Sequence, residues 1–302
     1  MTSRITLNQL RILAAVAETG SVTKASTAVF LTQPAVSTSM KLLEEHFGTA
    51  LLEIINKKAH LTQAGQAVYE AHRHIKEELE MLEQTIADIK GCLQGVLNIA
   101  MVSTAKFFVP HIVGEFMKEH PKIETKQKIL NRHDVLFALQ NNHCDFAIMS
   151  QLPGNIPFIT HRIAENPLVM IASPENPLCK KQRIEVKDLV EEKCIVREQG
   201  SGIRQSIEAL FSKKNLVPTI AMELSSTEAI KQMVIANIGI GIVPKLSLKT
   251  ELELGKLKIL NVVGTPITEH WHVVYLKNKK LPPLVKKFIE YLLTHNEAYT
   301  AC

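Results

Sequence analysis

The chain has 302 residues, of which 46% are apolar and 22% charged, with 13 Gly and 13 Pro. These proportions belong to a folded globular protein and exclude the disordered, collagenous and low-complexity classes, while the length favours two domains or three small ones. The formal charge of +5, from 35 Lys and Arg against 30 Asp and Glu, permits an anionic partner without requiring one.

Five cysteines, Cys92, Cys144, Cys179, Cys194 and Cys302, form no Cys-x-x-Cys pair. An odd number without a motif predicts reduced thiols in a cytosolic compartment rather than a disulfide framework. The start of the chain has no apolar h-region, and no apolar run approaches the roughly 18 residues of a membrane span. The longest candidate, Val234 to Val243, is interrupted by Asn237, Gly239 and Gly241. A cytoplasmic protein without a membrane partner is expected.

Residues 5–50 read as short helices. Leu7, Leu10, Leu13, Ala14 and Ala17 recur at helical spacing, Gly20 ends that helix, and Ser21 N-caps a second over Val22–Ala28. Phe30-Leu31-Thr32 makes a turn. Thr32 then caps a third helix with Pro34 in its first turn, where a missing N–H costs nothing, and Val36, Met40, Leu43 and Phe47 form its apolar stripe. Two short helices around a tight turn are the pattern of a helix-turn-helix. The opposite face carries Gln33, Ser37, Thr38 and Lys41, types that pair with adenine, with base edges and with guanine or phosphate. Leu51 to Thr62 reads as a small β-wing with Lys57, Lys58 and His60 near its tip. A polar helix face taken singly is more often just a solvated face; the order helix, turn, helix, basic wing is what points to DNA.

Phe30-Leu31-Thr32-Gln33-Pro34-Ala35-Val36-Ser37, Leu42-Leu43-Glu44-Glu45-His46-Phe47-Gly48 and Leu61-Thr62-Gln63-Ala64-Gly65 resemble the winged helix-turn-helix of LysR-type transcriptional regulators. The resemblance implies that Thr32, Gln33, Pro34, Ser37, Thr38 and Lys41 line the DNA surface, with Lys57 and Lys58 on the wing. Ile54 stands where the family usually has Arg, and His60 where Arg is common, which implies a weaker hold of the wing on DNA.

From Thr62 to about Lys90 the chain reads as one helix. Val68, His72, Ile75, Leu79, Leu82, Ile86 and Ile89 make an a/d seam of about three heptads with one polar member, His72, while Lys76, Glu77, Glu78, Glu80, Glu83 and Lys90 lie off it. Such a stripe must be buried, against its own domain or in a dimeric coiled coil; the regular repeat and charged outer faces favour the dimer, which also suits two half-sites on pseudo-palindromic DNA. The family resemblance implies the same linker-helix dimer, and often a tetramer.

Gly91 and Gly95 break that helix. Strand candidates follow at Val96–Val102, Ile123–Leu130, Phe146–Met149, Leu168–Ala172, Cys194–Arg197, Ile220–Leu224, Ile240–Val243 and His272–Leu276, with helix patterns at Val109–Glu119, Val135–Asn141, Arg204–Lys213 and Glu228–Ile238. This alternation predicts parallel sheets with helices on both faces, in two subdomains flanking a cleft at the strands' carboxyl ends. Three strand ends share one chemistry: Ser103-Thr104 after Val102, Glu198-Gln199-Gly200-Ser201-Gly202 after Arg197, and Ser225-Ser226-Thr227 after Leu224. Each offers hydroxyls and free N–H groups at a positive helix end. One alone is usually an N-cap; three at one cleft, with Lys106, Arg197 and Arg204 to add charge-assisted contacts, predict a small carboxylate or phosphorylated ligand.

Ser103-Thr104-Ala105-Lys106, Arg197-Glu198-Gln199-Gly200-Ser201-Gly202-Ile203-Arg204 and Leu224-Ser225-Ser226-Thr227 resemble the effector domain of the LysR-type branch that controls carbon dioxide fixation operons, and Gly239-Ile240-Gly241-Ile242-Val243-Pro244 is a general feature of the family. The resemblance implies an effector among phosphorylated sugars or nucleotides, bound by Ser103, Thr104, Lys106, Arg197, Gln199, Gly200, Ser201, Gly202, Arg204, Ser226 and Thr227. Ile203 replaces the family's usual Thr, one hydroxyl fewer near the cleft. The expected architecture is a mixed chain: a winged helix-turn-helix over 1–62, a linker helix over 63–91, and over 92–302 an α/β effector domain like the periplasmic binding proteins. Its two Rossmann-like subdomains are expected at 92–163 with 266–302, and at 164–265.

No Walker A loop, G-x-S-x-G elbow, H-E-x-x-H or G-x-G-x-x-G is present, so the sequence offers no catalytic, cofactor or metal motif; His143-Cys144-Asp145 reads as structural. An enzyme or a solute-binding protein of α/β class is the alternative for the C-terminal part, but neither explains the helix-turn-helix and the seam. A redox pair of Cys179 and Cys194 lacks a shared motif.

Overall fold

The computed structural model describes residues 5–89, 93–152 and 156–300. Lys90, Gly91, Cys92 and Cys302 lie outside them. The chain divides into two compact units, Met1–Ile86 and Ala87–Cys302.

In the first unit, α1 (Leu7–Thr19) starts on a capping box in which Thr6 and Gln9 satisfy each other's backbone N–H, and ends at the left-handed Gly20. The second helix, α2 (Val22–Val29), is capped by Ser21 and ends at Phe30, itself left-handed at φ 58°. Thr32 caps α3 (Gln33–Phe47). The core joins Leu10, Leu13 and Val16 to Val29, Val36, Met40 and Leu43. Phe47 departs from the expected stripe: it is exposed and lies edge-on to His46 at the helix end. Strands β1 (Leu52–Ile55) and β2 (Lys58–Leu61) pair antiparallel. Asn56 and Lys57 both have positive φ, the two-residue turn whose twist matches a hairpin.

The long helix α4 (Gln63–Ile89) follows. The Thr62 hydroxyl donates to Ala50 O at 2.8 Å and accepts from Gly65 N at 3.0 Å. A Cβ on Gly65 would stand 1.9 Å from Leu51 O, so only glycine lets α4 start this close to the wing. Glu44 accepts from Leu51 N at 2.8 Å, tying α3 to the same point.

The second unit holds β3 (Gly95–Val102), α5 (Val109–Glu119), β4 (Ile123–Leu130), α6 (Arg132–Gln140), β5 (Phe146–Met149), β6 (Phe158–Ala172), β7 (Lys193–Arg197), α7 (Gly202–Ser212), β8 (Thr219–Leu224), α8 (Thr227–Ile235), β9 (Ile240–Pro244), α9 (Lys249–Glu253), β10 (Lys258–Ile259), β11 (Ile267–Leu276), α10 (Pro283–His295) and α11 (Glu297–Thr300). The strands form one sheet in the order β4-β3-β5-β11-β6-β9-β7-β8, with β10 on β6.

The expectation of parallel sheets needs correction. Pairs β3/β4, β3/β5, β7/β8 and β7/β9 are parallel, whereas β5/β11, β6/β11, β6/β9 and β6/β10 are antiparallel. The reason is the connection: β6 and β11 pair antiparallel with each other, and β11 joins the first half against β5 while β6 joins the second against β9. Apolar clusters cover each half on both faces. One side of the first half packs Phe108, Phe116, Trp271 and Phe288, the other Val135, Leu139 and Met149. The second half packs Leu168, Val196, Ile207 and Phe211 on one side, and Ile171, Ile195, Ile230 and Val234 on the other. Gly239 explains the start of the Gly-Ile-Gly-Ile-Val-Pro motif, since a Cβ there would lie 2.0 Å from Lys193 O.

Among the described residues, no helix is long and apolar enough to cross a membrane.

Candidate functional site

In the first unit, the buried side chains of α3 turn its other face outward. Thr32, Gln33, Pro34, Ser37, Thr38 and Lys41 are all exposed, as are Lys57 and Lys58 on the wing. Thr32 has a second task, since its hydroxyl accepts from Ala35 N. Gln33 meets the Thr23 hydroxyl at 3.3 Å, and Lys41 lies 3.8 Å from Glu45; both contacts are in solvent and easily exchanged. Phe30 is 92% exposed beside Thr32 and Gln33, an apolar side chain at the head of the same face.

In the second unit, a narrow cleft of about 30 Å³ opens between the two halves of the sheet, lined by Ser103, Thr104, Asn131, Arg132, Ser150, Gln151, Arg197, Glu198, Ser201, Gly202 and Ile203. Its charged floor is Arg197, the last residue of β7, only 4% exposed. Its Nη1 donates to the Ser103 hydroxyl at 3.1 Å and the Thr227 hydroxyl at 3.4 Å, and its Nε and Nη2 donate to Glu198 at 2.7 and 2.8 Å. Thr104 is buried and accepts from the Trp271 indole at 3.2 Å. Ser201 and Gly202 open α7, so unpaired N–H groups and the positive end of that helix face the same space.

The structure thus gathers Ser103, Thr104, Arg197, Ser201 and Gly202 around one cleft, and leaves the other expected residues out of its lining. Lys106 sits over the Phe107 ring, 5.1 Å from its centroid. Gln199 and Gly200 form an exposed turn. Arg204 is buried but committed: it donates to Glu208 at 2.5 Å, to Arg197 O at 3.2 Å and to Glu223 at 3.4 Å, so it steadies the backbone of Arg197. Ser226 caps α8. Thr227, 1% exposed, supports Arg197 from behind.

Asn131, Arg132, Ser150, Gln151 and Glu198 were not anticipated. The signal was present, because Asn131-Arg132 follows β4 and Ser150-Gln151 follows β5, and the strand-end rule applied to all strands would have found them. Gln151 bridges the halves. Its Nε2 donates to Gly202 O at 3.1 Å and Glu269 at 3.2 Å, while its backbone carbonyl accepts from Arg132 Nε at 3.2 Å. Its Oε1 is buried without a partner.

Cys144, Cys179 and Cys194 lie outside the cleft lining. Burial pushes the Cys194 thiol up to about 12 and that of Cys144 up to about 11, far from a reactive thiolate. Asp145 accepts from Asn98 N at 2.7 Å, a tie between strands.

Comparison with known proteins agrees with this division. The family of bacterial regulatory helix-turn-helix proteins of the lysR family matches residues 7–66, and the LysR substrate binding domain matches residues 90–297. The chain is 43% identical over 293 residues to the HTH-type transcriptional activator CmpR of Synechocystis sp., covering 97% of this chain and 96% of that one. It is 38% identical over 287 residues to the RuBisCO operon transcriptional regulator of Acidithiobacillus ferrooxidans, covering 95% and 93%. The regulatory domain of Synechocystis CcmR, solved in complex with 2-PG, superposes with a TM-score of 0.65 at 35% identity, covering 68% of this chain and 98% of that one. With family matches over both units and relatives along nearly its full length, the chain belongs to the LysR family of DNA-binding transcriptional regulators, among those akin to regulators of carbon dioxide fixation.

Proposed function

We propose that this regulator reads promoter DNA with the exposed face of α3 and the wing, pairs with further copies of itself through α4, and responds to a small phosphorylated or carboxylate metabolite in the cleft. The observation that carries the effector reading is Arg197, a buried guanidinium at a cleft floor, flanked by Ser103, Thr104 and the N-terminus of α7. A buried cation among hydroxyls and orphan N–H groups is built for an anion. The 2-PG held by the CcmR domain supports the same class of ligand.

Base reading is assigned to Gln33, Ser37 and Thr38, with Thr32, Pro34, Lys41, Lys57 and Lys58 at the DNA backbone and groove edges. Val68, the first member of the expected seam, packs in the reader's own core instead; pairing is supported by the rest, since Ile75, Leu79, Leu82, Ile86 and Ile89 are 37–80% exposed in a single chain, which a partner helix would cover. Dimer and tetramer both satisfy this. A division into reader 1–62, linker 63–91 and sensor 92–302 is supported by the long helix α4 between the two family matches. Within the sensor, the subdomain boundary on β6 is supported by Ile163 packing in one core and Leu168 in the other. Action on promoter DNA supports a cytoplasmic location.

An effector acts by binding one conformation of the sensor better than another. The test is calorimetry with 2-phosphoglycolate and with uncharged ethylene glycol, alongside gel shifts on the DNA upstream of the chain's own gene. Binding of the anion together with an altered DNA complex is expected. Binding of neutral ligands only would overturn the effector reading.

A further inference from the structure

We propose that Glu198 is a specificity-determining residue of the cleft: its carboxylate is a built-in competitor for the Arg197 guanidinium, with which an incoming anion must exchange. This rests on the anion reading above and deepens it.

The geometry separates what can move from what cannot. Arg197 is fixed by its own burial and by two hydroxyls that accept from Nη1, Ser103 in the cleft lining and Thr227 behind it. The remaining edge of the guanidinium, Nε and Nη2, is the planar fork that takes a carboxylate or phosphate in two parallel bonds. Glu198 takes that edge in this way, at 2.7 and 2.8 Å. The backbone of Glu198 is pinned, its N–H donating to Leu224 O at 3.2 Å and its carbonyl accepting from Ser201 N at 3.2 Å. Its side chain is 24% exposed, against 4% for Arg197, and it lines the cleft. Solvent can therefore receive the carboxylate, whereas it cannot receive the arginine.

Two consequences follow. An acceptor tethered to the neighbouring residue competes at high effective concentration, so a ligand with one weak acceptor loses the exchange. One that reaches the fork and the α7 N-terminus together can win it. The displaced carboxylate also stays at the rim and repels the ligand in proportion to the ligand's charge. Glu198 thus sets both the threshold for occupancy and the charge the cleft tolerates.

The test uses the full-length chain, with calorimetric titration of 2-phosphoglycolate, inorganic phosphate and acetate, and melting curves as the folding control. Glu198→Gln is expected to bind 2-phosphoglycolate and phosphate about tenfold tighter than the wild type, with a gain of about threefold or less for acetate. Glu198→Ala is expected to reproduce that pattern, and Glu198→Asp, which keeps the charge, to stay within about threefold of the wild type. Folded Gln and Ala variants that bind phosphate no tighter than the wild type, or that gain equally for acetate and 2-phosphoglycolate, would overturn the proposal. Failure of the wild type and both variants to bind any anion would instead overturn the anion reading, and this proposal with it.

Discussion

Replacing Gly65 by Ala isolates the junction at which the long helix leaves the wing. The added Cβ would meet Leu51 O at 1.9 Å, Leu51 C at 2.9 Å and Leu61 Cδ2 at 3.1 Å. An ordinary carbon–oxygen contact is about 3.3 Å, so backbone must yield by more than about 1 Å. Overpacking of this kind costs about 1–3 kcal/mol. The shift also strains the Thr62 N to Leu51 O hydrogen bond, at 3.0 Å, worth about 1 kcal/mol. Alanine's better helix propensity returns about 1 kcal/mol. The net loss is about 1–3 kcal/mol, or roughly 4–20 °C in the melting of a unit this size. Gly114, inside α5 with nothing within 4 Å of an added Cβ, is the control. Gly114→Ala is expected to gain up to about 1 kcal/mol in the second unit. Scanning calorimetry of the full-length variants reads both, and anisotropy on upstream DNA reads the consequence for the reader. A Gly65→Ala protein whose transition stays within about 2 °C of the wild type would refute the steric argument.

Gln33→Ala and Ser37→Ala are expected to weaken binding to the operator more than to random DNA, and an equal loss on both would exclude base reading. Lys57→Ala in the exposed wing turn and Lys58→Ala at the exposed start of β2 should weaken both DNAs alike and lower the salt slope by about one each, measured as affinity against salt concentration. His72→Leu, at the single polar position of the seam, is expected to tighten self-association in sedimentation experiments, because polar core positions cost coiled-coil stability; unchanged or weaker association would count against the seam. His272 is held below its ordinary value of 6.5 by burial, with His270 adding repulsion. The unfolded chain therefore takes a proton that the folded one resists. Stability from this group is present above about pH 6.5 and falls as the pH drops below it. Denaturation curves of His272→Gln should show a shallower acid slope than the wild type, and an identical slope would refute the assignment.

Local chemistry made much of this molecule legible in the sequence. Ser21 and Thr32 are caps, Gly20 is a helix stop, and the α3 stripe sorts the exposed face from the buried one through side-chain period alone. Strands with unbroken apolar runs, such as β5 and β9, were equally plain, because both their faces are covered. The long strand β6 was visible only in its last third, since Thr160, His161, Arg162, Glu165 and Asn166 break the apolar run of 158–167. These residues become strand through pairing with β11, a long-range partner that no local window contains.

A length of 302 residues and a charge of +5 carry little of this. In residues 1–62, Arg4, Arg11, Lys24, Lys41, Lys57 and Lys58 face Glu18, Glu44, Glu45 and Glu53, a net of only about +2, and order rather than amount of charge marked the reader. By itself the sequence determined the reader, the seam and the anion-prone strand ends, because each depends on neighbours a few residues apart. Only the tertiary structure decided which cations face the cleft. Arg197 and Arg204 are seven positions apart with the same side chain, yet one forms the floor and the other is spent on Glu208, Glu223 and the Arg197 carbonyl. That choice rests on which acceptors packing brings within hydrogen-bond reach of each buried guanidinium, and a buried charge must take whatever acceptors it meets.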